Sequence, residues 1–165
     1  MTFISQEFLD DLLAQEERLQ FPAFDNETAL ALGLHLVELG RARRLPITVD
    51  VRRAGQQLFH AALAGTSPDN DEWVVRKSAV VMRFGHSSYY MGRRSALKDV
   101  PFHEAMLVDP REYAAHGGSF PIRVIGTGLV GTVTVSGLPQ HEDHALVVEA
   151  LDSFLAGRAS AAPPR

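Results

Sequence analysis

The 165-residue chain contains no cysteine. Disulfides, a thiol nucleophile, thiolate-held iron–sulfur clusters and zinc–thiolate sites are therefore excluded within it. It also lacks a long Lys/Arg block: 16 basic residues are scattered among 20 acidic ones, for a formal charge of −4. Without such a block to neutralise a phosphate backbone, nucleic acid is not an expected partner. No apolar run reaches the roughly 18 residues of a membrane helix, so no membrane partner is expected either. Near the amino terminus, Glu7, Asp10 and Asp11 stand where a secretory signal would have a basic start and an apolar stretch. The expectation is a soluble, cytoplasmic protein. Also missing are an early strand–GxGxxG–helix unit, a serine nucleophile elbow with a His–acid partner, a Cys-x-x-Cys-His haem-attachment motif and any internal repeat.

What is present suffices for one core. Hydrophobic residues make up 45% of the chain, and the pattern predicts a single domain over residues 1–157 with a flexible Pro/Ala-rich tail at 158–165. Ser5 is placed to cap a helix through Phe8, Leu9, Leu12 and Leu13, which stops near Phe21-Pro22. A second helix begins at Asn26 and ends on Arg41, Arg43 and Arg44, which suit its carboxyl-terminal dipole. Ile47, Val49 and Val51 alternate with Thr48, Asp50 and Arg52, and Ala54-Gly55 turns this strand into a second one carrying Leu58 and Phe59. A long helix from about Asp69 to Phe84, broken at Gly85, is expected to cross the sheet. Lys98 to Gly118 is expected to be a partly helical excursion without a large core of its own. Ile122, Val124 and Ile125 start a second strand pair with Val130, Val133 and Val135, and the last helix carries Leu146, Val147, Leu151 and Phe154. Two hairpins separated by helices give an α+β fold, with an antiparallel sheet of about four or five strands flanked by helices.

Polar groups crowd the junction of the last strand and the last helix. Ser136 and Gly137 leave the strand, and His141, Asp143 and His144 sit near the helix start. Free amides there could hold a carboxylate or phosphate, with Arg123 adding directed donors if the strands bring it to the same edge. The plainer alternative is helix capping by Gln140 or the nearby acidic residues. His141 and His144, three apart, make half a metal site or a pair of exposed cap histidines; no metal and no catalytic residue is assigned. Lys77 and Asp50 are either a buried pair or solvent-exposed, and Trp73, Phe84, Met82 and Met91 fit packing roles.

The stretches WVVRKSAVVMRFGHSSY (Trp73 to Tyr89) and GLVGTVTVSGLPQHEDH (Gly128 to His144) resemble the UPF0303 branch of the HbpS/GlcG-like, haem-degrading domain superfamily. The resemblance runs from the Phe-Pro-Ala-Phe segment at Phe21 to the last helix. It implies a small domain with an antiparallel sheet, a tendency to oligomerise, and relatives that bind haem or corrinoid-related ligands. Under it, Arg83 and His86, beside Tyr89, Tyr90 and Arg93, could hold an anionic planar ligand, with His86 the preferred axial ligand if haem is bound. A polar rim or a subunit interface would explain the same residues. The main expectation is a non-catalytic small-molecule-binding or accessory protein, homo-oligomeric, for an anionic or planar ligand, with the cofactor left unassigned. The alternatives are a haem-binding or haem-degrading protein and a structural or protein-interaction module.

Overall fold

In the computed structural model, which describes residues 4–161, the Ser5 hydroxyl accepts the Phe8 amide and starts α1 (Gln6–Arg18), as the spacing predicts. Asp25 caps α2 (Asn26–Ala42) through the Thr28 amide. The first hairpin is β1 (Thr48–Arg53) and β2 (Gln56–Ala62), turning at Ala54-Gly55. Pro68 opens α3 (Pro68–Phe84), and Gly85, in the left-handed region at φ 74°, ends it where the sequence predicts a break. After this come α4 (Ser88–Leu97), capped by the Ser87 hydroxyl, and the short α5 (Phe102–Met106). The second hairpin, β3 (Ser119–Val124) with β4 (Gly128–Ser136), leads into α6 (Gln140–Ala161).

The strands form one antiparallel sheet in the order β2-β1-β4-β3. Alternation gives it two different faces. Val49, Val51, Phe120, Ile122, Val133 and Val135 meet Leu32 and Leu36 of α2 and Val147 and Leu151 of α6 in the main core. Each such fully buried side chain contributes about 1.5–3 kcal/mol. The other face, covered by α3, carries Thr48, Asp50, Thr132, Thr134 and Ser119, all fully buried. Both faces are thus covered, and one of them is polar.

Three boundaries differ from the sequence expectation. Helix α4 forms between Gly85 and Lys98, where the sequence pattern assigns no element, because Met91 gives it an anchor in a small second cluster with Val80, Phe102 and Ala115. Ile125 leaves the strand for the β3–β4 turn and is 63% exposed. Helix α6 continues to Ala161, past the expected start of the tail, with the Arg158 guanidinium over the Phe154 ring. The remainder of the tail, 162–165, lies outside the described residues.

Candidate functional site

Where β4 passes into α6 the chain bends through Gly137, at φ 151°, because a Cβ there would strike the Pro46 carbonyl. The bend opens a cleft of about 280 Å³ lined by Asn70, Trp73 and Lys77 of α3, His116, and Ser136, Gly137, Leu138, Gln140 and Asp143. Its floor is a buried ion pair, Lys77 Nζ to Asp143 Oδ2 at 3.0 Å, with side chains 4% and 1% exposed. Lys77 also donates to the Val135 carbonyl at 3.3 Å, which leaves one ammonium N–H. Asp143 accepts the amides of Leu138 (2.9 Å) and Gly137 (3.4 Å). The junction thus already holds a carboxylate, and it is the protein's own. The Glu142 and Asp143 amides turn back to the Pro139 carbonyl.

Neighbouring groups fix the walls. Asn70 Oδ1 accepts the Ser67 amide at 2.9 Å, while its Nδ2 donates to Ser136 Oγ at 3.4 Å. Gln140 Oε1 accepts the Gly117 amide at 3.1 Å. A side chain at Gly118, φ 136°, would strike the Val135 carbonyl and come within 2.8 Å of Lys77 Nζ, so glycine is required behind the ion pair. The His116 ring stacks on Trp73, centroids 5.1 Å apart, and Arg76 lies 4.3 Å from the Trp73 ring centre.

The electrostatics of this cleft are cationic. Burial lowers the His116 pKa, and Lys77, Arg93, Arg76 and His103 lower it further through their positive charge. Burial also lowers the Lys77 pKa, against the attraction of Asp143, and raises that of Asp143, against the attraction of Lys77. His116 is shared with a second cleft of about 410 Å³ that contains Arg93 and His103. The Arg93 Nε there is buried without a protein partner. This is a donor set for an anion.

The structure separates the sequence-predicted site residues into groups. Ser136, Gly137 and Asp143 meet at the junction cleft. Arg123 does not: antiparallel pairing sets Ser119 opposite Thr134 and Arg123 opposite Leu129, which carries Arg123 to the other end of the hairpin. There it donates to the Gly85 carbonyl and lines a cleft of about 580 Å³ with His86 and Glu16. Glu16 accepts from His86 Nδ1 (2.8 Å) and from the Ser87 amide (2.7 Å). Exposed Arg83 stands apart, against Tyr113. His141 and His144 line a fourth cleft, of about 510 Å³. His141 is exposed, but His144 is 4% exposed and bonds Gln15 at 2.8 Å, with burial lowering its pKa to about 4. Among the described residues no group of three or more His, Cys, Asp or Glu could hold a metal ion.

Lys77 pairs with Asp143 and not with Asp50. Asp50 instead accepts from Arg52 (2.8 Å), Gln57 (2.7 Å) and His60 (3.0 Å), and His60 reaches on to Asp71 at 3.1 Å. Asn70, His116 and Gln140 were not assigned to a ligand site from sequence. The signal for His116 was the Gly117-Gly118 pair behind it, which marks close backbone approach. Asn70 offered only a turn-like context.

Residues 24–152 match the family described as "Haem degrading protein HbpS-like". A UPF0303 protein of Streptomyces coelicolor is 58% identical over 145 residues, 88% of this chain and 92% of that one. Among solved structures, the Ybr137w protein superposes with a TM-score of 0.86 at 30% identity, covering 96% of this chain and 99% of the other. A PduOC:heme complex shares the fold, with a TM-score of 0.66 at 15% identity over 79% of this chain and 94% of that one. The chain therefore belongs to the HbpS-like family and, within it, to the UPF0303 proteins.

Proposed function

We propose that the protein binds a small organic anion in the cleft between α3 and the β4–α6 junction, as a ligand-binding or accessory protein of the cytoplasm that acts as a homo-oligomer. The observation that carries this is the gathering of Lys77, Arg76, Arg93 and His103 near His116, in a junction cleft whose own lining carboxylate, Asp143, is already neutralised by Lys77. An anion entering the cleft would be drawn by this field and met by the Ser136 hydroxyl, the Asn70 amide and the remaining Lys77 N–H. Val75 and Met82, on the outer side of α3 and 45% and 46% exposed, are apolar surface that a second copy would cover.

Trp73 is the only tryptophan and lines the cleft, so its emission reports occupancy. Titration with acetate, citrate and inorganic phosphate is expected to give a saturable change for at least one of them. His116→Ala should weaken that ligand by about tenfold, the size of a charged hydrogen bond, and Arg93→Ala, which acts on the cleft only through space, should weaken it less. Flat emission throughout, or unchanged affinity in both variants, would defeat the assignment.

A haem-related role is the second possibility, favoured by the family description and by the haem complex of a relative in fold. His86 has a suitable ligand arrangement, since Glu16 holds its Nδ1 and leaves Nε2 as the coordinating atom. The walls do not suit a porphyrin. Leu13 and Val124 are the only large apolar residues of that cleft, and Glu16 and Glu17 would oppose the propionates. Haem titration should therefore give the same absorption spectrum for wild type and His86→Ala; loss of the Soret band in the variant would reverse the ranking.

A further inference from the structure

Of the 16 basic residues only two, Lys77 and Lys98, are lysine. Lys98 is exposed at the end of α4, whereas Lys77 is buried and opens on the junction cleft. Among the described residues, every ion pair other than Lys77–Asp143 is made by arginine or histidine. An arginine could supply the positive charge of such a pair, but it cannot release a proton to become a nucleophile, and a lysine can. The chain has therefore placed its one buried amine on the wall of a cavity, hydrogen-bonded directly to a carboxylate that can take its proton.

We propose that Lys77 captures a small aldehyde or 2-oxo acid as an imine, with Asp143 carrying the protons; this rests on the assignment of the junction cleft as the ligand site. The Lys77 ammonium first passes a proton to Asp143 across their 3.0 Å hydrogen bond. The free amine adds to the carbonyl carbon, the C=O π bond opens, and its oxygen takes the proton from Asp143. Asp143 then removes one proton from the carbinolamine nitrogen and returns it to the hydroxyl, which leaves as water while the C=N bond forms. The product is a protonated imine beside the Asp143 carboxylate, so the charge of the buried pair is conserved and no oxidant or reductant is needed. Burial lowers the Lys77 pKa and raises that of Asp143, and both shifts favour the first proton transfer. The volume of about 280 Å³ restricts the ligand to a small molecule, and His116, Ser136 and Asn70 are placed to hold its carboxylate.

The test uses pyruvate and glyoxylate as probes, with cyanoborohydride to trap the imine, followed by intact-mass measurement and peptide mapping of the native protein. Lys77 should be modified several-fold faster than Lys98. Lys77→Arg should abolish this adduct, and Lys98→Arg should leave it unchanged. Modification confined to Lys98 and the terminal amine, or Lys77 reacting no faster in native protein than in urea-unfolded protein, would overturn the proposal. The wild-type map decides even where Lys77→Arg does not fold. A saturable Trp73 change with pyruvate and no Lys77 adduct would reject the imine and leave anion binding standing. Neither signal would remove both.

Discussion

Lys77 and Asp143 are the residues on which the cleft depends. Removing one partner leaves a charge without compensation in a buried place, which costs about 3–5 kcal/mol. Lys77→Met should lower the unfolding free energy by that amount at neutral pH. Adding Asp143→Asn, which keeps an oxygen for the Leu138 amide, should restore part of the loss. A double-mutant cycle in urea measures this coupling, and additive losses would mean that the pair is not an energetic unit. His144 behaves differently. Its folded pKa of about 4 lies below the ordinary 6.5, and its Nδ1 is buried without a partner, so the unfolded chain binds more protons between these values. Stability contributed by the neutral ring is fully present above pH 6.5 and is lost as pH falls toward 4. At pH 4.5 this effect is on the order of 2–3 kcal/mol, and His144→Phe should lose correspondingly less stability between pH 7 and 4.5. Equal losses for variant and wild type would show that His144 is not protected.

At the level of elements, most of the helices and all four strands were predicted, β1, β3 and β4 from their alternating apolar residues and β2, which buries none of its residues, from the Ala54-Gly55 turn before it. Ser5 and Gly85 marked helix ends through local chemistry that needs no tertiary information, and Asn26 gave the start of α2, although the residue that caps it is Asp25. Helix α4 was not foreseen because its stability comes from Met91 packing against Val80 and Phe102, residues of other elements. The junction between β4 and α6 was legible as a site, but its ligand-facing groups were not. Which of Asp50 and Asp143 meets Lys77, and where Arg123 lies, is decided by strand register and helix placement, and these are long-range properties. Helix α2 gives a test of such packing. Gly33 would normally cost its helix about 1 kcal/mol relative to alanine, yet a Cβ there would run into the Phe59 ring of β2. Gly33→Ala should thus destabilise by about 1–3 kcal/mol, measured by urea unfolding. A gain in stability would mean that α2 and β2 are less closely packed.

At the scale of the whole molecule, the sheet divides the protein into a packing side and a polar side. Helices α2 and α6 close the apolar face, while α3 lies over buried threonines, a serine and Asp50 and carries Lys77 to the strand end. The clefts are accordingly distributed. The junction cleft and the one that contains Arg93 share His116, whereas His86 and Arg123 line one at the opposite end of β3. Amide chemical-shift mapping of isotopically labelled protein during titration with pyruvate separates these regions in one experiment. Saturable shifts should centre on Asn70, Trp73, Gly117, Gly118 and residues 136–143. Shifts confined to residues 13–20 and 123–128, or none at all, would contradict the placement of ligand binding at the junction of β4 and α6.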